Sequence, residues 1–184
     1  MGRTVCPRCG RPAPTCFCAT LPAPAIDHRT GLLVLQHPAE SGHAKNTAAF
    51  LTLGLRAACL LRGTVFDAGV ASPGAVLLYP GEPAGPLPVD VRQLILLDGN
   101  WRQSRRMLAA NPWLAGLPRL ALPELPSRYA LRRAHRPGQL STLEAGLHAL
   151  ALLEGGAERF EPLWAAFDAF VHAGLSRRRE TGFA

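Results

Sequence analysis

The sequence predicts an α/β fold: a mostly parallel sheet flanked by helices, preceded by a small cysteine-rich segment. Three observations predict it. Short, uninterrupted apolar runs, "LLVLQ" (32–36), "AVLLYP" (75–80) and "LILLD" (94–98), read as strands buried on both faces. Stretches with apolar residues at helical spacing alternate with them. Residues 1–24 show neither period and are rich in Cys, Pro and Arg. The chain therefore divides into a four-cysteine segment, 1–24, and an α/β domain, 25–184.

The elements follow in order. "AKNTAAFLTLGLRAACLL" (44–61) has helical apolar spacing and reads as a helix, with Cys59 in its buried stripe. "GTVFDAG" (63–69) reads as a strand and "GEPAGPLP" (81–88) as a loop. "WRQSRRMLAA" (101–110) is a helix stopped ahead of Pro112. "LPRLAL" (117–122) suits a short strand. A helix over 142–155 opens after Ser141 and stops at Gly155, and a closing helix spans 157–179.

Composition bounds the function. A chain of 184 residues with 48% hydrophobic and 18% charged residues folds rather than staying disordered. No apolar run reaches the roughly 18 residues of a membrane span, so no membrane partner is expected. The start, "MGRTVCPRCG", lacks a secretory h-region and the myristoylation pattern. The expected location is the cytoplasm. Twenty basic residues against 13 acidic give +7, and Lys45 is the only lysine. Codon bias explains Arg in place of Lys but not the positive excess. That excess points to a polyanion, RNA or DNA.

"CPRCGRPAPTCFC" places Cys6, Cys9, Cys16 and Cys18 in a C-x2-C-x6-C-x-C array. Four thiolates suit a closed, structural Zn²⁺ site. Disulfides are disfavoured in a cytosolic chain, and a redox C-x-x-C belongs between a strand and a helix. Arg8 and Arg11 sit between the ligands and are placed to grip phosphates.

In open α/β sheets, ligands bind beyond the carboxyl ends of the strands. "HPAE", "YPGE" and "DGNW" each follow a strand and share that rim. Two roles fit Asp98: N-cap of the helix at 101–110, or general base for a substrate N–H. Gly99 permits close backbone approach. Trp101 is either a core residue or a ring stacked on a base. Arg102, Arg105 and Arg106 form either a solvated face or a phosphate contact. His37, Glu40 and His43 recur at three-residue steps, but Pro38 and Gly42 argue against a helix that would converge them on a metal. "SRYALRRAHRPGQLSTLEA" interleaves Arg128, Arg132, Arg133 and Arg136 with Tyr129, a pattern suited to an RNA backbone and an unstacked base. Ser141 and Glu144 form an S-x-x-E capping box, and the helix N-terminus is a possible carboxylate site.

The ordered set of short motifs resembles the DTW-domain family, named for Asp-x-Thr-Trp. It comprises the knuckle with its Arg11-Pro12, "LQHPAE" with "NT" (46–47), "LLYPGE", "LLDGNWRQSRRM", "YALRR" and "STLEA", and runs through nearly the whole chain. The resemblance implies a tRNA-uridine aminocarboxypropyltransferase with a SPOUT-like fold and a trefoil knot. It implies that S-adenosylmethionine donates its 3-amino-3-carboxypropyl group to uridine N3 in tRNA, releasing methylthioadenosine. Matching motif to motif, Asp98 is the catalytic aspartate and Trp101 the motif tryptophan, while Asn100 stands where the family has Thr. Three loops would enclose the cofactor: Leu78, Tyr79 and Pro80; Leu97, Gly99, Asn100 and Trp101; and Leu140, Ser141, Thr142 and Ala145. RNA would meet His37, Glu40, His43, Arg102, Arg105, Arg128, Tyr129, Arg132, Arg133 and Arg136. A methyltransferase on the same scaffold and a non-catalytic, zinc-dependent RNA-binding protein are the competing readings.

Overall fold

The computed structural model describes residues 4–42, 45–81, 86–131 and 139–180. Among them, five strands, β1 (Gly31–Gln36), β2 (Ala58–Arg62), β3 (Ala75–Leu78), β4 (Gln93–Asp98) and β5 (Arg119–Leu120), form one sheet in the order β2-β1-β4-β3-β5. Every pairing is parallel. The helices are α1 (Ala48–Gly54), α2 (Trp101–Ala110), α3 (Pro112–Ala115), α4 (Thr142–Glu154) and α5 (Glu161–Glu180). No helix among the described residues is long and apolar enough to cross a membrane.

Alternation along the central strands divides the core in two. Leu32, Val34, Leu94 and Leu96 face α1, α4 and α5, where Leu51, Leu147, Leu163 and Phe167 are fully buried. Leu33, Leu35, Leu77 and Ile95 face the other way, toward Met107 of α2 and Leu114 of α3. With both faces covered, the strands are apolar throughout, as parallel strands are.

The region 44–61 departs from the expected single helix. α1 ends at Gly54, Leu55 turns extended, and residues 58–62 become β2 along the open edge of β1. The apolar run is compatible with both conformations. The unpaired edge of β1 decides it, because its backbone groups need partners. Cys59 is consequently exposed on β2 rather than buried in a helix. The expected strand at 63–69 is instead a loop with a 3-10 turn at Ala68–Val70, where Asp67 accepts from the Gly69 amide at 2.7 Å. The segment 117–122 contributes only the two-residue β5. The closing helix begins at Glu161, after a 3-10 turn at Glu158–Phe160.

The cysteine-rich segment packs into the larger core cluster. Phe17 stacks on Phe50 of α1, with ring centroids 3.6 Å apart, and meets Phe170 of α5 edge-on. Arg11 is buried. Its guanidinium lies over the Phe170 ring and donates to the Asn46 carbonyl. It therefore joins the segment to the domain, and the expected phosphate contact is left to Arg8 alone.

Candidate active site and metal centre

In the parallel register of β1 and β4, Gln36 pairs with Asp98 at the carboxyl ends of the strands. Period-two alternation puts both side chains on the face toward α1 and α4. Asp98 is 4% exposed. Gln36 Nε2 donates to Asp98 Oδ2 at 2.8 Å and Asn46 Nδ2 to the same oxygen at 2.6 Å, while Thr142 Oγ1 donates to Oδ1 at 2.5 Å. One carboxylate thus ties together β1, the segment before α1, β4 and the start of α4. Three donors satisfy a buried charge that would otherwise be costly. Asp98 is not an N-cap. That role belongs to Asn100, whose side chain accepts from the Gln103 amide while Gln103 accepts from the Asn100 amide.

Beside this hub lies a cavity of about 360 Å³, within the roughly 300–1,000 Å³ range of small-molecule sites. Leu78, Tyr79 and Pro80, then Leu97, Gly99 and Trp101, then Leu140, Ser141, Thr142 and Ala145 line it. Asn100 does not: its side chain is engaged in the cap. Leu96, Ser104, Leu122, Pro123 and Gln139 complete the wall. Residues 122–123 carry no motif, and only the fold brings them here. A Cβ on Gly99 would come within 3.1 Å of the Gln103 side chain, so glycine there also allows α2 to start close to the strand.

Trp101 is 54% exposed, so it is not the core residue that counting tryptophans favours. Its ring stacks on Tyr79 at 5.6 Å, with Arg105 5.9 Å from its centroid and Arg119 over Tyr79 at 5.6 Å. This aromatic-cation ladder stands at the cavity rim.

Glu144 carries more than a capping box. Fully buried, it accepts from the amides of Ser141 at 2.7 Å and Arg128 at 2.5 Å, and from the Ser127 hydroxyl. It clamps the chain at 127–128 to the loop that delivers Thr142. At the N-terminus of α4 the Leu143 amide donates to Thr47 Oγ1 and the Glu144 amide to Ser141 Oγ. These two of the first-turn amides are thus engaged within the protein.

The four cysteine sulfurs lie within 4.8 Å of one another, with Cys6–Cys18 at 3.8 Å and Cys9–Cys16 at 3.7 Å. A tetrahedron with metal–sulfur bonds of about 2.3 Å has edges of about 3.8 Å. Two of the separations match that edge, and the cluster is compact enough to hold one metal ion. The Cys6 thiol is lowered to about 6, chiefly by the Cys9 backbone amide, while burial and its three neighbours push the Cys18 thiol up. Four sulfurs sharing one small space cannot all ionise, and a bound dication removes that conflict.

The residues expected to meet RNA are dispersed. Arg102 and Arg105 are exposed on α2. His37 Nδ1 accepts from the Ala39 amide at 3.2 Å and caps the turn that presents Glu40. Arg128 pairs with Asp168 at 3.3 Å and lies over the Trp164 ring. Tyr129 is 3% exposed and donates to the Lys45 carbonyl. Its ring is part of the core and offers no face to a base, contrary to expectation. His43, Arg132, Arg133 and Arg136 lie outside the described residues.

Residues 3–175 match the DTW domain over almost the full length. The chain belongs to the DTW domain family. Among curated DTW relatives, the fruit fly tRNA-uridine aminocarboxypropyltransferase 2 is 35% identical over 85% of this chain and 69% of its own length. The Macaca fascicularis protein of the same name is 30% identical, covering 83% of this chain and 57% of its own length. The Arabidopsis thaliana tRNA-uridine aminocarboxypropyltransferase A is 28% identical over 86% and 76%. No solved structure matches. Within the DTW motif, Asn100 in place of Thr is accounted for by the cap, since either residue serves as an N-cap acceptor.

Proposed function

We propose that this protein is a tRNA-uridine aminocarboxypropyltransferase using S-adenosylmethionine. The observation that carries the reading is the convergence of three DTW-family motif loops on one cavity at the carboxyl rim of the sheet. Curated relatives bearing that activity's name support it. The donor supplies a carbon activated by sulfonium: the carbon–sulfur bond breaks as the N3–carbon bond forms, and the sulfur keeps the electron pair as methylthioadenosine leaves.

The chain's own residues then have two tasks, alignment and removal of the N3 proton. Leu78, Leu97, Leu122 and Leu140 supply apolar walls for the donor. Thr142 lines the cavity and is bonded to Asp98 at 2.5 Å. Asp98 acts as the base through this hydroxyl: the N3 proton passes to Thr142 Oγ1 as the threonine proton passes to Oδ1. The ladder of Trp101, Tyr79, Arg105 and Arg119 suits an unpaired base at the rim, where stacking contributes about 1–3 kcal/mol per base. Cys6, Cys9, Cys16 and Cys18 would hold a structural Zn²⁺, because four thiolates would fill all its coordination positions.

The test is to incubate the protein with tRNA and donor labelled separately in the methyl and carboxypropyl carbons. Mass spectrometry of the nucleosides should show 3-amino-3-carboxypropyluridine carrying the carboxypropyl label. Methyl label alone would replace this reading by a methyltransferase on the same scaffold. Binding of tRNA with no modified nucleoside would leave an RNA-binding protein.

A further inference from the structure

A second cavity, of about 690 Å³, lies between the cysteine knuckle and the edge of the sheet at β1 and β2. Arg8 and Cys9 of the knuckle line one side, and Gln36, Asn46 and Arg62 the other. Among the described residues lining it, Glu40 is the only acid. Two of these residues, Gln36 and Asn46, donate to Asp98 Oδ2, the oxygen not used by Thr142. The first cavity is therefore lined by the donor to one oxygen of Asp98 and the second by the donors to the other.

The cations here are differently placed. Arg11 is held inside the fold by the Asn46 carbonyl and the Phe170 ring. Arg62 is exposed and spends only its Nε, on Gln36 Oε1 at 3.0 Å, and Arg8 is exposed. Among the described residues, neither Arg8 nor Arg62 is paired with a carboxylate. A cavity of mixed polar and apolar lining with two such guanidinium groups at its edge suits a phosphodiester.

We propose that this second cavity is a tRNA subsite that holds the ribose-phosphate of a nucleotide flanking the acceptor uridine. Arg8 and Arg62 take the phosphate, and Glu40 is placed to accept from a ribose 2′-hydroxyl, the group that separates RNA from DNA. The inference rests on the tRNA reading above. It gives the knuckle a second duty as one wall of the RNA site. It also runs a chain of hydrogen bonds from the strand to the donor cavity, through Arg62, Gln36, Asp98 and Thr142.

The experiment uses the full-length, metal-loaded protein and tRNA transcripts containing 4-thiouridine. Photo-cross-links should fall on the peptides bearing Arg8 and Arg62. Arg8→Gln and Arg62→Gln should each weaken tRNA binding several-fold and reduce the slope of log affinity against log salt by about 0.7–0.9. Arg62→Lys should recover most of that slope. Metal content and S-adenosylmethionine binding should match the wild type in Arg8→Gln, because the Arg8 side chain is exposed and, among the described residues, pairs with no carboxylate. Cross-links confined to α2 or α5, with unchanged salt slopes in both Gln variants, would overturn the subsite while leaving transferase activity intact. Absence of carboxypropyl transfer by the wild type would instead overturn the functional reading.

Discussion

The Thr142 hydroxyl donates to Asp98 Oδ1 at 2.5 Å, across 44 residues of sequence. This contact joins the end of the central strand to the start of α4. It places a proton-carrying hydroxyl on the cavity wall and a buried carboxylate directly behind it. In the proposed relay, Asp98 would serve the reaction without being exposed to solvent.

Thr142→Val should remove the relay and leave Oδ1 short of a donor. We expect kcat for nucleoside modification to fall by about 10²-fold or more, with Thr142→Ser restoring most of it. Tight S-adenosylmethionine binding should persist in the Val variant. If Val and Ser variants turn over equally well, the hydroxyl carries no proton.

Asp98→Asn should be worse than Thr142→Val. Its amide nitrogen would face one or more of the three donors now satisfied by the carboxylate. Each charge-assisted bond contributes about 1.5–3 kcal/mol, so the melting temperature should drop together with activity. A variant as stable as the wild type would contradict the hub.

Glu144→Ala should strip the acceptor from the buried amides of Ser141 and Arg128, at a cost on the order of 3 kcal/mol in chemical denaturation. Because the same carboxylate fixes the loop 139–142, donor affinity should fall as well. A loss of stability with unchanged donor binding would limit Glu144 to a structural role.

Metal removal should loosen the knuckle first. A chelator should extract about one zinc per chain, and Cys16→Ser should prevent full loading. Because Phe17, between ligands Cys16 and Cys18, is stacked on Phe50, we expect a fall in melting temperature of several degrees and weaker tRNA binding. Calorimetry showing identical transitions before and after chelation would disconnect the metal from the fold.

Acid should destabilise the domain through His28. Its Nε2 accepts from the Ala57 amide at 3.3 Å, so Nδ1 carries the proton donated to the Thr30 carbonyl. Burial lowers its pKa below the ordinary value of about 6.5, despite Glu154 nearby. The unfolded chain then binds the proton more readily, so stability is full above about pH 6.5 and declines as pH falls below it toward the folded value. His148, also lowered by burial, adds to the same trend. Urea unfolding at pH 7.5 and 5.5 should show the loss, and His28→Gln should flatten it. A stability independent of pH over that interval would rule it out.

Much of the site was legible because its parts are local. "LILLD" has the period that places Asp98 on the same face as Leu94 and Leu96, and Ser141 with Glu144 spells a capping box. The cysteine spacing pointed to a cluster, and the four sulfurs do gather within 4.8 Å of one another. Other features are not local. The two apolar halves of 44–61 differ only in which backbone partners stand nearby. Tyr129 reads as a stacking residue until α5 and the Lys45 carbonyl are placed around it. Glu144 reads as a cap until residues 127–128 return to it.

The sequence by itself determined the alternation of buried strands and helices, the four-sulfur cluster, and the motif loops that belong at one rim. These follow from short-range periodicity and spacing, which the chain carries in every conformation. Only the tertiary structure decided that Asp98 takes three donors, that Trp101 stands exposed on Tyr79, and that the donors to Asp98 line two separate cavities. Each of those depends on segments tens of residues apart meeting at one sheet edge. Side-chain hydrogen bonding and ring exposure are set by that meeting, not by the residue's own neighbours in the chain.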